Sequence, residues 1–343
     1  MWHSSMKSNH NDMNRVMNKR LIRTQSHEEW LQVRSNGIGS SEVGTILGLN
    51  PYETPYQLWR RKTWQDPPKE ENEAMLLGHL LEDAVAQRWA IATGREIVKA
   101  SAEEWIYVHP NCDYFRASPD RIYYEKGEKH NEANKCILEC KTTVLDVDED
   151  NIPQSWFCQV QWLMHVTGYK RASLAWLKLD RRQFGYKDIT YDAGLCEWMA
   201  QQVDVFWNVY VQGGEEPPFV NVKDILTKFS KHVDGKTISS EEKVEVDGET
   251  MKLLEAVRNV KAIKESIAEL EGQKEQYENA IKAAMCDAEA VTHEEGGRIV
   301  NLVTWRAAKD SLKFDAKAYQ KEHPEEAQAY MKSVAGSRRF LIK

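Results

Sequence analysis

Ser118-Pro119-Asp120-Arg121-Ile122-Tyr123-Tyr124, then the polar, Gly-containing stretch Lys126–Asn134, then Lys135-Cys136-Ile137-Leu138-Glu139-Cys140-Lys141 are the residues on which the fold turns. Both flanks are aromatic or aliphatic, so Arg121–Glu125 and Lys135–Lys141 are predicted strands joined as a hairpin. Residues two apart on a strand share a face. Glu139 and Lys141 therefore project together while Cys140 points the other way, into the core. The hairpin brings Asp120, at the start of its strand, beside Glu139.

Outward from this hairpin the elements are mixed. Ser26 and Glu29 read as a capping box opening a helix through Trp30, Leu31 and Val33. Ser40-Ser41 starts a short helix stopped by Gly48, and Thr54-Pro55 starts another. A longer helix is predicted from Glu71 to Thr93, with Leu77, Leu80, Leu81, Val85, Ala86 and Trp89 as its apolar face and Gly94 as its stop. Glu104–Val108 reads as a further strand. Pro153 opens a helix Gln154–Val166, closed by Gly168. Ala172–Leu179 and Phe184–Tyr191 form a second hairpin, and a helix Leu195–Val211 follows. Helices, a strand cluster, a helix, strands and a helix imply an α/β class: an α+β mixed sheet flanked by helices.

Residues 1–20 are predicted to be a flexible leader, 21–215 the core and 216–343 a C-terminal extension, with Gly213–Pro218 as the linker. The extension carries one long helix, Met251–Ala288. Its apolar residues Ile263, Ile267, Leu270, Tyr277 and Ile281 follow a heptad that Lys274 interrupts, a helical arm or short coiled coil. Arg298–Trp305 and Arg339–Ile342 are expected to pair as small terminal strands.

Composition bounds the rest. Over 343 residues, 41% hydrophobic and 29% charged, a packed core forms and global disorder is excluded. There is no apolar run of membrane-spanning length and no secretory segment, and six cysteines without a Cys-x-x-Cys pair fit a reducing cytoplasm rather than a zinc ribbon or ferredoxin-type cluster. A net charge of −7 argues against a simple DNA-coating protein but leaves room for a local basic cleft, with Arg60-Arg61-Lys62, Lys170-Arg171 and Arg181-Arg182 as candidates.

Two carboxylates at one strand end can hold Mg²⁺, and the Cys140 carbonyl is a further oxygen ligand. An ammonium beside such a metal orients an attacking water and steadies phosphate charge. Asp120, Glu139 and Lys141 thus point to a metal site suited to phosphodiester hydrolysis; an isolated Glu-x-Lys would be a plain surface pair.

The Asp120 … Glu139-Cys140-Lys141 pattern resembles the signature of the restriction-endonuclease-like nuclease superfamily. Trp30-Leu31-Gln32-Val33-Arg34 with Gly37-Ile38-Gly39-Ser40-Ser41-Glu42, then Leu49-Asn50-Pro51-Tyr52, Thr54–Trp59, Gly78-His79-Leu80-Leu81-Glu82 and Gln159-Val160-Gln161 resemble, in order, the YqaJ-like viral recombinase family that includes phage lambda-type exonuclease. The resemblance implies a restriction-endonuclease-like core. It adds Glu82 to the metal ligands Asp120 and Glu139, makes Lys141 the catalytic lysine, and gives Gln159 the orienting of water or substrate. It implies that Arg34 and Ser41, with Ser118 assisting, hold the 5′-phosphate of a DNA end. It further implies a Mg²⁺-dependent (Mn²⁺ as substitute) exonuclease acting 5′ to 3′ on double-stranded ends and leaving 3′ overhangs. Its partners would be a single-strand annealing protein and further copies, as a ring-shaped homo-oligomer, in a bacterial cytoplasm. Left to the residues alone, Glu82 reads as a solvent-facing helical residue, Ser41 as a cap, Gln159 as a polar residue on a helix's exposed side and Ser118 as a turn residue. The family often has Gly after the metal-binding Asp; Arg121 here puts the tightness of that turn in doubt and is a candidate DNA contact. A catalytically dead nuclease-like scaffold and an iron–sulfur nuclease of the same superfamily are the alternatives. The intact quartet Glu82, Asp120, Glu139 and Lys141 opposes the first, and the cysteine spacing opposes the second.

Overall fold

A computed structural model describes residues 20–67, 72–98, 105–312, 314–333, 336 and 338–342; the predicted leader lies, but for residue 20, outside them. The chain divides into two compact units, Met1–Ile225 and Leu226–Lys343.

In the first unit β1 (Arg20–Arg23) precedes α1 (His27–Ser35), whose Ser26 cap accepts the Glu29 amide at 3.1 Å. The Glu29 carboxylate accepts from the Gln25 amide instead, so the predicted box is only half made. α2 (Ser40–Ile46) and α3 (Pro55–Lys62) follow, the latter with both bonds of a Thr54/Gln57 capping box. α4 (Glu73–Thr93) ends on Gly94, whose φ of 67° only glycine adopts without cost. Then come β2 (Glu96–Val98), β3 (Trp105–His109), β4 (Cys112–Ala117), β5 (Arg121–Tyr124) and β6 (Cys136–Thr143). α5 (Gln154–Thr167), β7 (Arg171–Lys178), β8 (Gln183–Thr190) and α6 (Ala193–Val205) complete the sequence of large elements, α6 running on as a π-helical turn over Phe206–Gln212.

The central sheet has the order β2-β5-β6-β7-β8, antiparallel except for the parallel β6–β7 pair that α5 crosses over. The expected hairpin is present, with Arg121 opposite Leu138. Side-chain parity decides what each face buries. Tyr123, Cys136, Leu138 and Ala175 pack with Val85, Ala86 and Trp89 of α4. Ile122, Ile137, Ala172, Leu174 and Trp176 pack in the cluster that holds Val160, Leu163 and Met164 of α5. The sheet is thus sandwiched between α4 and α5, a mixed α/β architecture. Burying those apolar faces is the main favourable term for this unit. A second sheet, β1-β3-β4, stands beside it.

Two expectations change here. Only the C-terminal half of the predicted α4 face is buried; Leu77 and Leu80 are 38% and 68% exposed, because the side that α4 turns to the sheet runs through Gly78, Val85, Ala86 and Trp89 and leaves both leucines off it. The first unit does not end at 215. Phe219 sets its ring edge against Tyr56, and Asp224, on α7 (Val222–Lys228), is fully buried where it accepts the Thr54 hydroxyl at 2.8 Å. The chain beyond Gly213–Pro218 therefore still belongs to this core.

In the second unit a hairpin of β9 (Lys243–Val246) and β10 (Glu249–Lys252) leads into α8 (Leu253–Met285). Both turn residues, Asp247 and Gly248, have positive φ, the twist a two-residue hairpin needs. β11 (Ala290–Glu295) and β12 (Arg298–Thr304) pair across Gly296-Gly297 in the same way. This corrects the expected pairing of Arg298–Trp305 with Arg339–Ile342. The local turn closes a far shorter loop than a return from the C-terminus, and Arg339–Ile342 is not a strand. α9 (Ala316–Glu322) and α10 (Pro324–Ala329) are short. No helix among the described residues is long and apolar enough to cross a membrane.

Candidate active site

The residues singled out from the sequence converge on one cleft of about 960 Å³ in the first unit. Glu82, Asp120, Glu139, Cys140, Lys141, Gln159, Arg34, Ser41 and Ser118 all line it.

The floor is built by strand parity. Glu139 and Lys141 follow Ile137 on the α5 face of β6, so α5 supplies the next contact, Gln159. The Lys141 ammonium donates to Glu139 Oε1 at 2.7 Å and to Gln159 Oε1 at 3.0 Å, and the Gln159 amide donates to the same Glu139 oxygen. Cys140 presents its side chain to the α4 cluster and its backbone N–H to Asp120 Oδ2 at 2.7 Å. Asp120 is thereby pinned beside Glu139 across the β5–β6 pair. Gln161, the other glutamine of the Gln-x-Gln stretch, is fully buried and bonds the Thr190 carbonyl and the Asp192 amide, so it holds β8 and α6 rather than the site.

Glu82 reaches the cleft from α4 on the opposite face. Its carboxylate is taken by Arg121, which also holds Asp83 and the Asp120 carbonyl. Arg121 is 9% exposed, so the structure makes it an internal clamp on the acidic wall rather than an outward DNA contact. Among the described residues no three acidic, His or Cys side chains form a metal-holding group, and Glu82 is the carboxylate that stands engaged elsewhere.

The opposite wall comes from the α1–α2 junction. Gly37 lies so close to β4 that a Cβ would sit 2.6 Å from the Tyr114 carbonyl. Ile38 exchanges backbone bonds with Tyr114 and Arg116, fastening the junction to the strand that runs on to Ser118 and Asp120. Arg34 stacks on Trp30 and donates to the Ser41 hydroxyl at the cleft. Behind it Glu42 is held by Lys62 at 2.9 Å, Arg61 at 3.1 Å and the Gly39 amide at 2.9 Å. Arg61 also grips Glu53, and Arg60 grips Asp66. The Arg60–Lys62 run, expected as a possible basic patch, is therefore spent on internal pairs. Likewise Arg171 pairs with Glu128, and Arg181 with Asp146.

The electrostatics separate the two walls. Burial pushes Asp120 up to about 7, with Glu82 adding repulsion. Burial also pushes Glu139 up to about 7, with Asp120 adding repulsion. Glu82 shifts the same way through burial, against the pull of Arg121. Burial works against the Lys141 ammonium, but Glu139 and Asp120 outweigh it and raise its pKa. Glu139 Oε2 is buried with no hydrogen-bond partner. A buried carboxylate oxygen without a donor, among carboxylates that repel one another, fits a site meant for a cation. The donors on hand are carboxylate oxygens and a backbone carbonyl, the set that hard divalent ions such as Mg²⁺ or Mn²⁺ prefer.

His79 and Arg116 also line the cleft and were not singled out from the sequence. His79 stands three residues before Glu82, hence on the same helical face, and Arg116 shares strand parity with Ser118; either signal could have found them.

A family model for the YqaJ-like viral recombinase domain matches residues 29–170, the stretch that holds every residue of this cleft. Protein YqaJ of Bacillus subtilis (strain 168) is 33% identical over 325 residues, 93% of this chain and 94% of that one. Among solved structures, the alkaline exonuclease LHK-Exo from Laribacter hongkongensis aligns at a TM-score of 0.42 and 20% identity, over 55% of this chain and 93% of that one. LHK-Exo in complex with dAMP aligns at 0.43 and 18%, over 59% and 97%. The 33% identity to YqaJ extends over nearly the whole of both chains, and so the protein belongs to the YqaJ-like viral recombinase family.

Proposed function

We propose that this protein is a metal-dependent double-strand DNA exonuclease that degrades from the 5′ end and leaves 3′ single strands for phage-type recombination. The observation that carries the reading is Glu139. It is buried, it keeps one oxygen without a donor, and it stands with Lys141 and Gln159 in a cleft whose far wall offers Arg34. Asp120, Glu139, the Cys140 carbonyl and Glu82, once released by Arg121, would hold the metal. When bound it supplies Lewis-acid activation of the scissile phosphate and of water.

The chain's own groups do the rest. The Lys141 ammonium, fixed by Glu139 and Gln159, presents a proton and a positive charge to the phosphate under attack. The Gln159 side chain sets the direction of that ammonium. Arg34, braced on Trp30 and tied to Ser41, offers a guanidinium fork to a terminal 5′-phosphate, with Ser118 alongside. Such a pocket makes cleavage depend on a DNA end. The net acidic chain would rely on enclosure by a ring of copies to stay on DNA and would hand its product to a single-strand annealing protein, in a bacterial cytoplasm.

Linear duplex labelled at the 5′ end, with and without a 5′-phosphate, tests the reading in Mg²⁺ and in Mn²⁺. The expected products are mononucleotides released from the 5′ strand, faster from phosphorylated ends by about 10- to 100-fold, the worth of one charged hydrogen-bonded contact. Equal attack on closed circular DNA would overturn end dependence. Lys141→Ala is expected to lower turnover about 10³-fold while end binding persists, a loss of roughly 4 kcal/mol in the transition state. Unchanged turnover would remove Lys141 from its role.

A further inference from the structure

The second unit holds a feature that the cleft does not use. α8 runs for 33 residues, about 50 Å at the usual helical rise. Ile263, Ile267, Leu270, Tyr277 and Ile281 stand along it 41–74% exposed. With Lys274 filling the gap between Leu270 and Tyr277, their spacing alternates between four and three. Extended both ways, it gives Val260, Ile267, Lys274 and Ile281 at the a positions and Ile263, Leu270, Tyr277 and Ala284 at d. Such a seam is built to take knobs from a helix with the same repeat. Among the described residues, the other helices wholly within this unit, α9 and α10, span only seven and six residues.

We propose that α8 pairs with α8 of a second copy of this chain as an antiparallel two-stranded coiled coil centred on Gly272. The seam's one charged residue, Lys274, sets the direction. In a parallel pair Lys274 would face the same lysine, flanked by the uncharged Gln273. In an antiparallel pair centred on Gly272, Lys274 enters the layer of Leu270 of the other copy and lies beside its Glu271. Symmetry makes this a closed group of two lysines and two glutamates. The same register puts Ile263 on Ile281, Ile267 on Tyr277 and the larger Val260 on the smaller Ala284, and it sets Lys264 opposite Glu278. A two-fold axis satisfies every one of these pairs twice. Pairing removes the apolar stripe from water, and the lone polar seam position fixes the register. The inference does not depend on the nuclease reading.

Sedimentation equilibrium of the full chain tests it. Ile267→Lys with Ile281→Lys, both at exposed positions that a single copy can tolerate, is expected to weaken one pairing step at least 100-fold while circular dichroism and basal DNA cleavage stay unchanged. An unaltered mass distribution over the same concentrations would overturn the pairing. Direction is read by mild oxidation in a Cys286→Ser background, with that background alone as control. Glu271→Cys is expected to give a covalent dimer and Lys274→Cys none. A dimer from Lys274→Cys, or none from Glu271→Cys, would overturn the antiparallel arrangement.

Discussion

Glu42 and Glu139 are both buried glutamates in the same unit, 5% and 2% exposed, one behind a wall of the cleft and the other on its floor, yet they are treated in opposite ways. Around Glu42 burial would favour the neutral acid, but Lys62, Arg34 and Arg61 outweigh it and hold its pKa at about 2. Around Glu139 burial and Asp120 win over Lys141 and push it to about 7. One carboxylate is fully countered by the chain, with Lys62, Arg61 and the Gly39 amide on its oxygens. The other keeps an oxygen without a donor. A fully paired buried charge is architecture, whereas an under-compensated one in a cleft is a place whose balance an outside cation would complete.

The sharpest way to break this contrast is to neutralise each residue in turn. Glu139→Gln is expected to cut DNA cleavage by about 10³-fold, as loss of a group needed in the transition state does. In metal-free buffer at pH 8 it should nevertheless raise the melting temperature, because it removes an under-compensated charge that Asp120 repels. Glu42→Gln should do the reverse to stability, costing about 3 kcal/mol by leaving Lys62 and Arg61 without their buried partner. Its effect on cleavage would follow only from loosening the α1–α2 junction that carries Arg34 and Ser41. Thermal melts of both variants with EDTA decide the matter: two shifts of the same sign would end the distinction.

The pH dependence sharpens it further. Asp120 and Glu139, near 7 when folded, sit above the ordinary unfolded carboxylate values of about 4. Between those limits the native state binds more protons than the unfolded state, so metal-free stability falls as pH rises from about 4 to about 7 and then levels. Glu42, lowered to about 2, contributes stability that is present above its unfolded value and lost as pH falls toward 2. A metal-free melting temperature that declines from pH 5 to pH 8, with the decline reduced in Glu139→Gln and offset most strongly by Mg²⁺ at the alkaline end, is the expected result. A flat profile would show that the carboxylates are already balanced.

What the sequence could and could not reveal follows the same division. Glu139 and Lys141 were legible because strand parity is fixed once β6 is recognised, and the Thr54/Gln57 box was legible because both partners are local. Glu82 was not, since nothing in the α4 pattern says which side of the helix meets the sheet ahead of Val85; Leu77 and Leu80 are exposed for the same reason. Nor could the run Arg60-Arg61-Lys62 declare its partners: Glu42 is 19 residues from Arg61 in sequence and meets it only after α2 and α3 have docked. The two hairpins of the second unit carry Asp-Gly and Gly-Gly turns, a signal that was available and outvoted by the long helix between them. Short edge strands such as β1 and β2 offer too few residues for any periodicity to show.

Arg121 is the position where the two kinds of buried charge meet. It follows Asp120 where the family often has glycine, and it compensates the acidic wall from within, holding Glu82 and Asp83. For Glu82 to serve a metal, that pair must open, so the clamp and the cation compete for one carboxylate. Removing the guanidinium in Arg121→Ala is expected to tighten Mn²⁺ binding by about three- to tenfold, on the order of 1 kcal/mol. Isothermal titration of the chain without DNA reads this directly, apart from any cleavage. The melting temperature with EDTA should drop at the same time, since Glu82 and Asp120 then repel without a counterion. Weaker Mn²⁺ binding in the variant would mean that Arg121 positions Glu82 for the metal instead of withholding it, and the competition would have to be abandoned in favour of support.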